Sequence, residues 1–165
     1  MSTTKDDKLS VDMALLLARL AFGGSMLMAH GWPKLQNFTL VSEKFPSLFG
    51  LSSSTCLGLA VFAEFFCSIL LILGLTSRFA LSQLIATMAV GVYFHTTVLK
   101  QQLFDAPGKP SGELPFIYLM IFIILMILGS GRVSLDAVIK TKRANRPTSK
   151  PSSKSSDKKK APKKK

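Results

Sequence analysis

Four long apolar blocks between Val11 and Gly131 constrain this chain more than any other feature. The first runs from Val11 to Gly31, the second from about Thr55 to Leu75, the third from about Phe79 to Leu99 and the fourth from about Leu114 to Gly131. A helix of about 20 residues crosses a hydrocarbon core of about 30 Å, so each block reads as a transmembrane helix. The first block is not a signal peptide on this reading. Arg19 interrupts it, it is longer than a usual apolar signal core, and no small-x-small cleavage site follows. Trp32 and Pro33 mark an expected interface and helix stop, since indole favours the headgroup level and proline cannot continue the hydrogen-bond ladder.

Charge is distributed as unevenly as hydropathy. Of the 21 Lys and Arg residues, 12 lie between Lys140 and Lys165 against a single acid, Asp157, so this segment carries +11 of the formal +12. A basic domain would point to nucleic acid, whereas a neutral apolar body with a basic end points to membrane topology, and no specific nucleic-acid partner is expected. Residues 140–165 have almost nothing able to bury apolar surface and are expected to be disordered, since they cannot offset their own ordering entropy. Lys158, Lys159, Lys160, Lys163, Lys164 and Lys165 are the candidate contacts to anionic lipid or an acidic partner, beside the plain role of a solvated topology anchor.

The fold class is thus all-α membrane: a four-helix bundle over residues 11–139, a short N-terminal segment over 1–10 and the basic tail. Thr76–Arg78 makes a tight hairpin between the second and third helices, which are then antiparallel neighbours. Positive charge flanks the N-terminal segment, that hairpin and the end of the fourth block, which predicts both termini on the cytoplasmic side of the membrane. The loop between the first two helices contains Phe38, Phe45, Leu48 and Phe49 and is expected in the interface or packed over the bundle.

Ionisable groups inside such helices need a partner or a wet cavity, because a mid-membrane charge costs about 2.5–3.5 kcal/mol on insertion scales. Asp12, Arg19, Met26 and His30 share a stripe on the first helix at 100° per residue. Glu64 sits mid-span on the second, and Gln83, Thr87, Gly91 and His95 form an i, i+4 ladder on the third. The economical arrangement pairs Arg19 with Glu64 near mid-membrane, with Gln83 and Thr87 adding hydrogen bonds. Such a pair serves either helix register or a functional site. His30 and His95, near the same ends of their helices, could share a site, better suited to proton transfer than to metal, for which no third ligand is defined. The fourth helix is nearly devoid of polar groups and has the most lipid-facing character. Cys56 and Cys67 are separated by roughly 16 Å of helix, too far for an intrahelical disulfide.

Three segments taken together resemble the DoxX family of small bacterial membrane proteins. They are Arg19-Leu20 with His30-Gly31-Trp32-Pro33-Lys34-Leu35; Glu64 with Leu73-Gly74-Leu75-Thr76-Ser77-Arg78; and Glu113 with Gly129-Ser130-Gly131-Arg132-Val133-Ser134-Leu135-Asp136. Pro107–Pro110 and the long tail depart from the family pattern. The resemblance implies a four-helix bundle; some members are similar to subunits of thiosulfate:quinone oxidoreductase, and others are linked to membrane-bound thiol and oxidative-stress redox complexes. It makes Arg19, His30, Lys34, Glu64 and Glu113 candidates for holding an anionic or quinone head group, with His95 added from the ladder.

No haem ligand pair, flavin fingerprint or iron–sulfur cysteine set is visible, so no intrinsic cofactor or metal is expected, and an electron carrier would come from a partner or be a freely bound quinone. Three readings follow: a subunit of a redox-associated complex that binds a quinone or sulfur-containing anion, a non-catalytic assembly or anchoring subunit, and a small transporter. The first two imply partner subunits in the membrane or cytoplasm. No internal repeat between the two hairpins supports the third.

Overall fold

The computed structural model describes residues 5–104 and 111–144, which are all-helical apart from turns and loops. The predicted disordered tail, with its lysines, falls mainly outside the described residues, as does Pro107–Pro110. Helix α1 (Lys5–Met26) does not stop at Trp32 as its sequence suggests. It runs through a π-helical turn at Leu27–Gly31 directly into α2 (Trp32–Gln36). The physical reason lies in the wide turn. The Trp32 N–H closes it on the Leu27 carbonyl, and Pro33 then stands in the first turn of α2, where a missing N–H costs least.

A short helix, α3 (Phe38–Lys44), and a loop lead into α4 (Ser53–Val61), whose cap residue Ser52 accepts the Thr55 N–H. A second π segment, Phe62–Cys67, joins α4 to α5 (Ser68–Leu73). After the hairpin come α6 (Ser77–Tyr93) and a third π segment, Phe94–Val98. Helix α7 (Glu113–Leu128) follows, and the described chain ends in α8 (Leu135–Ala144). Part of α8 occupies residues expected to begin the disordered tail, a correction with a specific cause given below.

Three of the continuous helices are long and apolar enough to cross a membrane: Asp7–Gln36, Ser53–Leu73 and Ser77–Val98. Helix α7 is shorter, at 16 residues, but equally apolar. Leu17, Met28, Phe62, Phe66, Phe79, Ile124 and Ile127 are all exposed on the outside, far more greasy surface than water tolerates and what lipid-facing helices require. The shared interior is built from Leu15, Met26, Cys67, Leu71, Leu81, Leu84, Met88, Tyr118, Phe122 and Leu125. Helix α6 packs along α7 and on the hairpin-side half of the second span, while α4 packs on α2 and α3. The second and third spans therefore touch near their hairpin and part company beyond it.

Candidate functional site

The parting of α4 from α6 leaves a cavity of about 510 Å³. Its walls are mainly apolar: Met26 from the first span, Leu59, Ala60 and Phe62 from the second, Ala86, Val90 and Gly91 from the third, and Leu114 and Pro115 from α7. Phe45, Pro46, Leu48, Phe49 and Leu51 close its far end, so the connecting loop packs over the bundle. That loop is fastened by Phe49, whose ring stacks on Tyr93 of the third span at 5.8 Å between centroids.

Polar groups line this space along its depth. His30, Lys34, Glu64, Gln83, Thr87, His95 and Tyr118 all line it. Lys34 Nζ donates to both oxygens of the buried Glu64 carboxylate, at 2.6 Å to Oε1 and 2.5 Å to Oε2. Gly31 makes this possible. A Cβ there would lie 2.5 Å from the Glu64 carbonyl oxygen, so only glycine lets the first and second spans approach closely enough for Lys34 to reach across. Trp32 stacks on Phe65 one step away, at 5.9 Å. His30 sits in the field of both Lys34 and Glu64, with its ring edge-to-face against Tyr118. The Tyr118 hydroxyl pairs with Ser25 Oγ at 2.8 Å, and His95 Nδ1 pairs with Gln101 Oε1 at 2.7 Å.

Each π segment carries one of these ionisable residues: His30, Glu64 and His95. A π turn adds one residue, which rotates everything after it by about 100° relative to an uninterrupted helix. Among the described residues no group of three or more His, Cys, Asp or Glu side chains could hold a metal ion.

The expected Arg19–Glu64 pair is not formed, because the two residues lie at different heights. Gly23 packs on Ile72, and Gly31 on Glu64 and Phe65. This antiparallel register carries Arg19 roughly 15 Å below Glu64, toward the hairpin. The continuation of the first helix past Pro33 supplies Lys34 as the partner instead. Arg19, 1% exposed, donates from Nη2 to the Val133 carbonyl, and its Nη1 lies against Gly74. Glu113 likewise stays outside the cavity, exposed at the start of α7.

Arg19 belongs to a second cluster, at the end bearing the termini. The Asp136 N–H donates to the Gly74 carbonyl, and the Asp136 carboxylate accepts from Thr76 N at 2.9 Å and Ser77 N at 3.0 Å. Asp136 thus caps α6 from a distant part of the chain. Burial opposes its charge, but the N–H groups of Ser77 and Thr76, with the charge of Lys140, hold its carboxyl below the usual carboxylate range. Asp12 accepts from the Arg132 N–H at 2.9 Å. Gly74, at φ +66°, admits Arg19 and Ser134, with which a Cβ would collide. These bonds order the Gly129–Asp136 segment and give α8 its fixed start, which is why a helix stands where composition alone predicts disorder.

Residues 14–97 match the model of the DoxX family, a stretch that takes in Arg19, the whole cavity-lining set of the first three spans and the hairpin. The chain belongs to the DoxX family. It is a membrane protein with transmembrane helices, as that membership and the three long apolar helices together establish. The Gly129–Asp136 segment lies beyond the matched stretch, although it is bonded to Gly74, Thr76 and Ser77 within it. No curated protein and no solved structure matches the chain.

Sequence reasoning missed Tyr118, Ser25 and Gln101 as members of the site. Tyr118 had a legible signal. It is the one hydroxyl-bearing side chain in the otherwise aliphatic and phenylalanine-rich run of α7, and a tyrosine so placed needs a partner for its O–H. Ser25 and Gln101 carry no such mark.

Proposed function

We propose that this DoxX protein is a multi-pass inner-membrane subunit of a redox-associated complex, with both termini cytoplasmic and α7 as a fourth crossing, and that its cavity holds the head group of a membrane-dissolved quinone. The observation that carries the reading is the cavity itself: an apolar chamber between α4 and α6, with exposed Leu59, Phe62 and Val90 among its lining. Its polar lining includes Lys34, Glu64, His30 and His95. An amphipathic ring compound dissolved in lipid fits that division of walls.

The donor set suits a quinone better than a free sulfur anion. Lys34 is already engaged by Glu64, so the cavity offers little uncompensated positive charge to a bare anion, whereas ammonium and imidazole N–H groups can donate to carbonyl oxygens. A bound quinone supplies reversible two-electron, two-proton chemistry. Lys34 would orient one carbonyl, the Glu64 carboxylate and the His30 imidazole would take up or release protons, and the apolar walls would exclude water. Electrons would come from a partner subunit.

The test is equilibrium binding of a short-chain prenylated benzoquinone to the purified full chain in lipid nanodiscs. Saturable binding is expected, at least about tenfold weaker in Thr87→Trp, which fills the chamber from the wall of the third span. Unchanged binding in that variant, or no saturation in the parent protein, would overturn the proposal.

A further inference from the structure

Helix α8 has an apolar side that the protein does not cover. At 100° per residue, Leu135, Val138 and Ile139 fall within a stripe about 100° wide, together with Lys142. Asp136 and Ala137, the half-buried residues, lie on the opposite side and face the bundle. The stripe is correspondingly open, with Leu135 at 42%, Val138 at 49% and Ile139 at 38% exposure. Residues 145–165 contain no Leu, Ile, Val, Met or aromatic residue that could cover it.

The height of the helix is set independently. Asp136 is bonded to Gly74, Thr76 and Ser77, at the hairpin where two apolar spans end. Exposed Ile127, Leu128 and Val133 continue the lipid-facing surface of α7 toward the stripe. Basic residues lie on and after the helix: Lys140, Lys142 and Arg143, then nine Lys or Arg from Arg146 to Lys165 against Asp157.

We propose that α8 lies in the membrane interface, with Leu135, Val138 and Ile139 in the acyl boundary, and that the basic residues on and beyond it bind the acidic head groups of phospholipids in that leaflet. An amphipathic helix of this pattern gains its binding from buried apolar area together with attraction to anionic lipid. The rigid start at Asp136 means that α8 enters the interface without any ordering step at the end where it is attached. The leaflet at this end is then bound to the bundle through the hairpin, not merely near it.

Trp32 is the single tryptophan, so replacing it with Phe leaves a silent background in which Val138→Trp reports the stripe. The full chain carrying both changes is reconstituted in nanodiscs containing either brominated phosphatidylglycerol or brominated phosphatidylcholine at equal content. Strong quenching is expected in both, greater by at least about twofold with the acidic lipid, and the excess should vanish in high salt or when residues 146–165 are removed. Equal quenching by the two lipids overturns the head-group assignment. Absence of quenching overturns the interfacial placement, whether the stripe meets water or a second copy of the chain. Ile139→Trp in the same background gives an independent reading should Val138→Trp fail to yield monodisperse protein.

Discussion

Arg19 and Lys34 are two cations on one helix, 15 positions apart, and the structure treats them in opposite ways. Arg19 is enclosed by backbone: a carbonyl at Val133, glycine at Gly74, and the Ser134–Asp136 segment, with two of its nitrogens left without a partner. Lys34 meets a carboxylate across an open chamber. The first arrangement ties the closing segment to the hairpin. The second leaves donors and acceptors beside empty volume, where they can exchange partners. Arg19 is thus held by the hairpin and the closing segment, whereas the Lys34–Glu64 pair lines the open cavity.

The largest expected effect comes from forcing the closed end apart. Gly74→Val places a branched side chain at φ +66° and into Arg19 and Ser134, and should leave little or no monodisperse protein after detergent extraction. Normal yield and thermal stability would mean that the Arg19 enclosure does not hold the hairpin.

Next comes Lys34→Met, which strands the buried Glu64 carboxylate and should cost about 3–5 kcal/mol. Adding Glu64→Gln should recover much of that loss, so a double-mutant cycle on thermal unfolding in detergent measures the coupling. Additive effects would break the contrast between the two ends. Arg19→Leu, by comparison, should leave quinone affinity unchanged in whatever protein folds.

A smaller effect should follow pH at the closed end. The native Asp136 carboxyl titrates below its ordinary 3.8, so the unfolded chain binds the proton more readily there. Its stabilising contribution is complete above about pH 4 and is lost as pH falls through the lower native value. Asp136→Asn should remove this component of the acid dependence of unfolding, and an unaltered acid profile would count against the cap on Thr76 and Ser77.

Smallest is Tyr118→Phe, which removes the bond to Ser25 and should cost about 0.5–1.5 kcal/mol, read as a modest drop in unfolding temperature. A quinone affinity that falls while stability holds would place Tyr118 in the cavity's chemistry as well as its wall.

The apolar blocks, a tight hairpin after the second of them and the Gln83–Thr87–Gly91–His95 ladder were readable from the chain, because helical periodicity and hydrocarbon thickness are local rules; the turn itself falls at 74–76, with Ser77 and Arg78 already in the next helix, and not at Thr76–Arg78 as expected. The partner of Glu64 was not. Charge complementarity allows Arg19 or Lys34 equally, and the choice turned on the height at which two helices meet. That height depends on Gly31 closing against the Glu64 backbone and on a π turn carrying the first helix through Pro33. Helix α8 escaped notice for a related reason: its anchor is a set of hydrogen bonds between Asp136 and residues some 60 positions earlier.

Composition and order along the chain were therefore enough to make this an apolar helical membrane protein and to nominate its ionisable residues, since burial in lipid acts on each segment separately. Which of those residues face one another, and which face an open cavity, was settled when the helices docked. Relative height and rotation are collective properties, set by close contacts and wide turns that no single segment encodes.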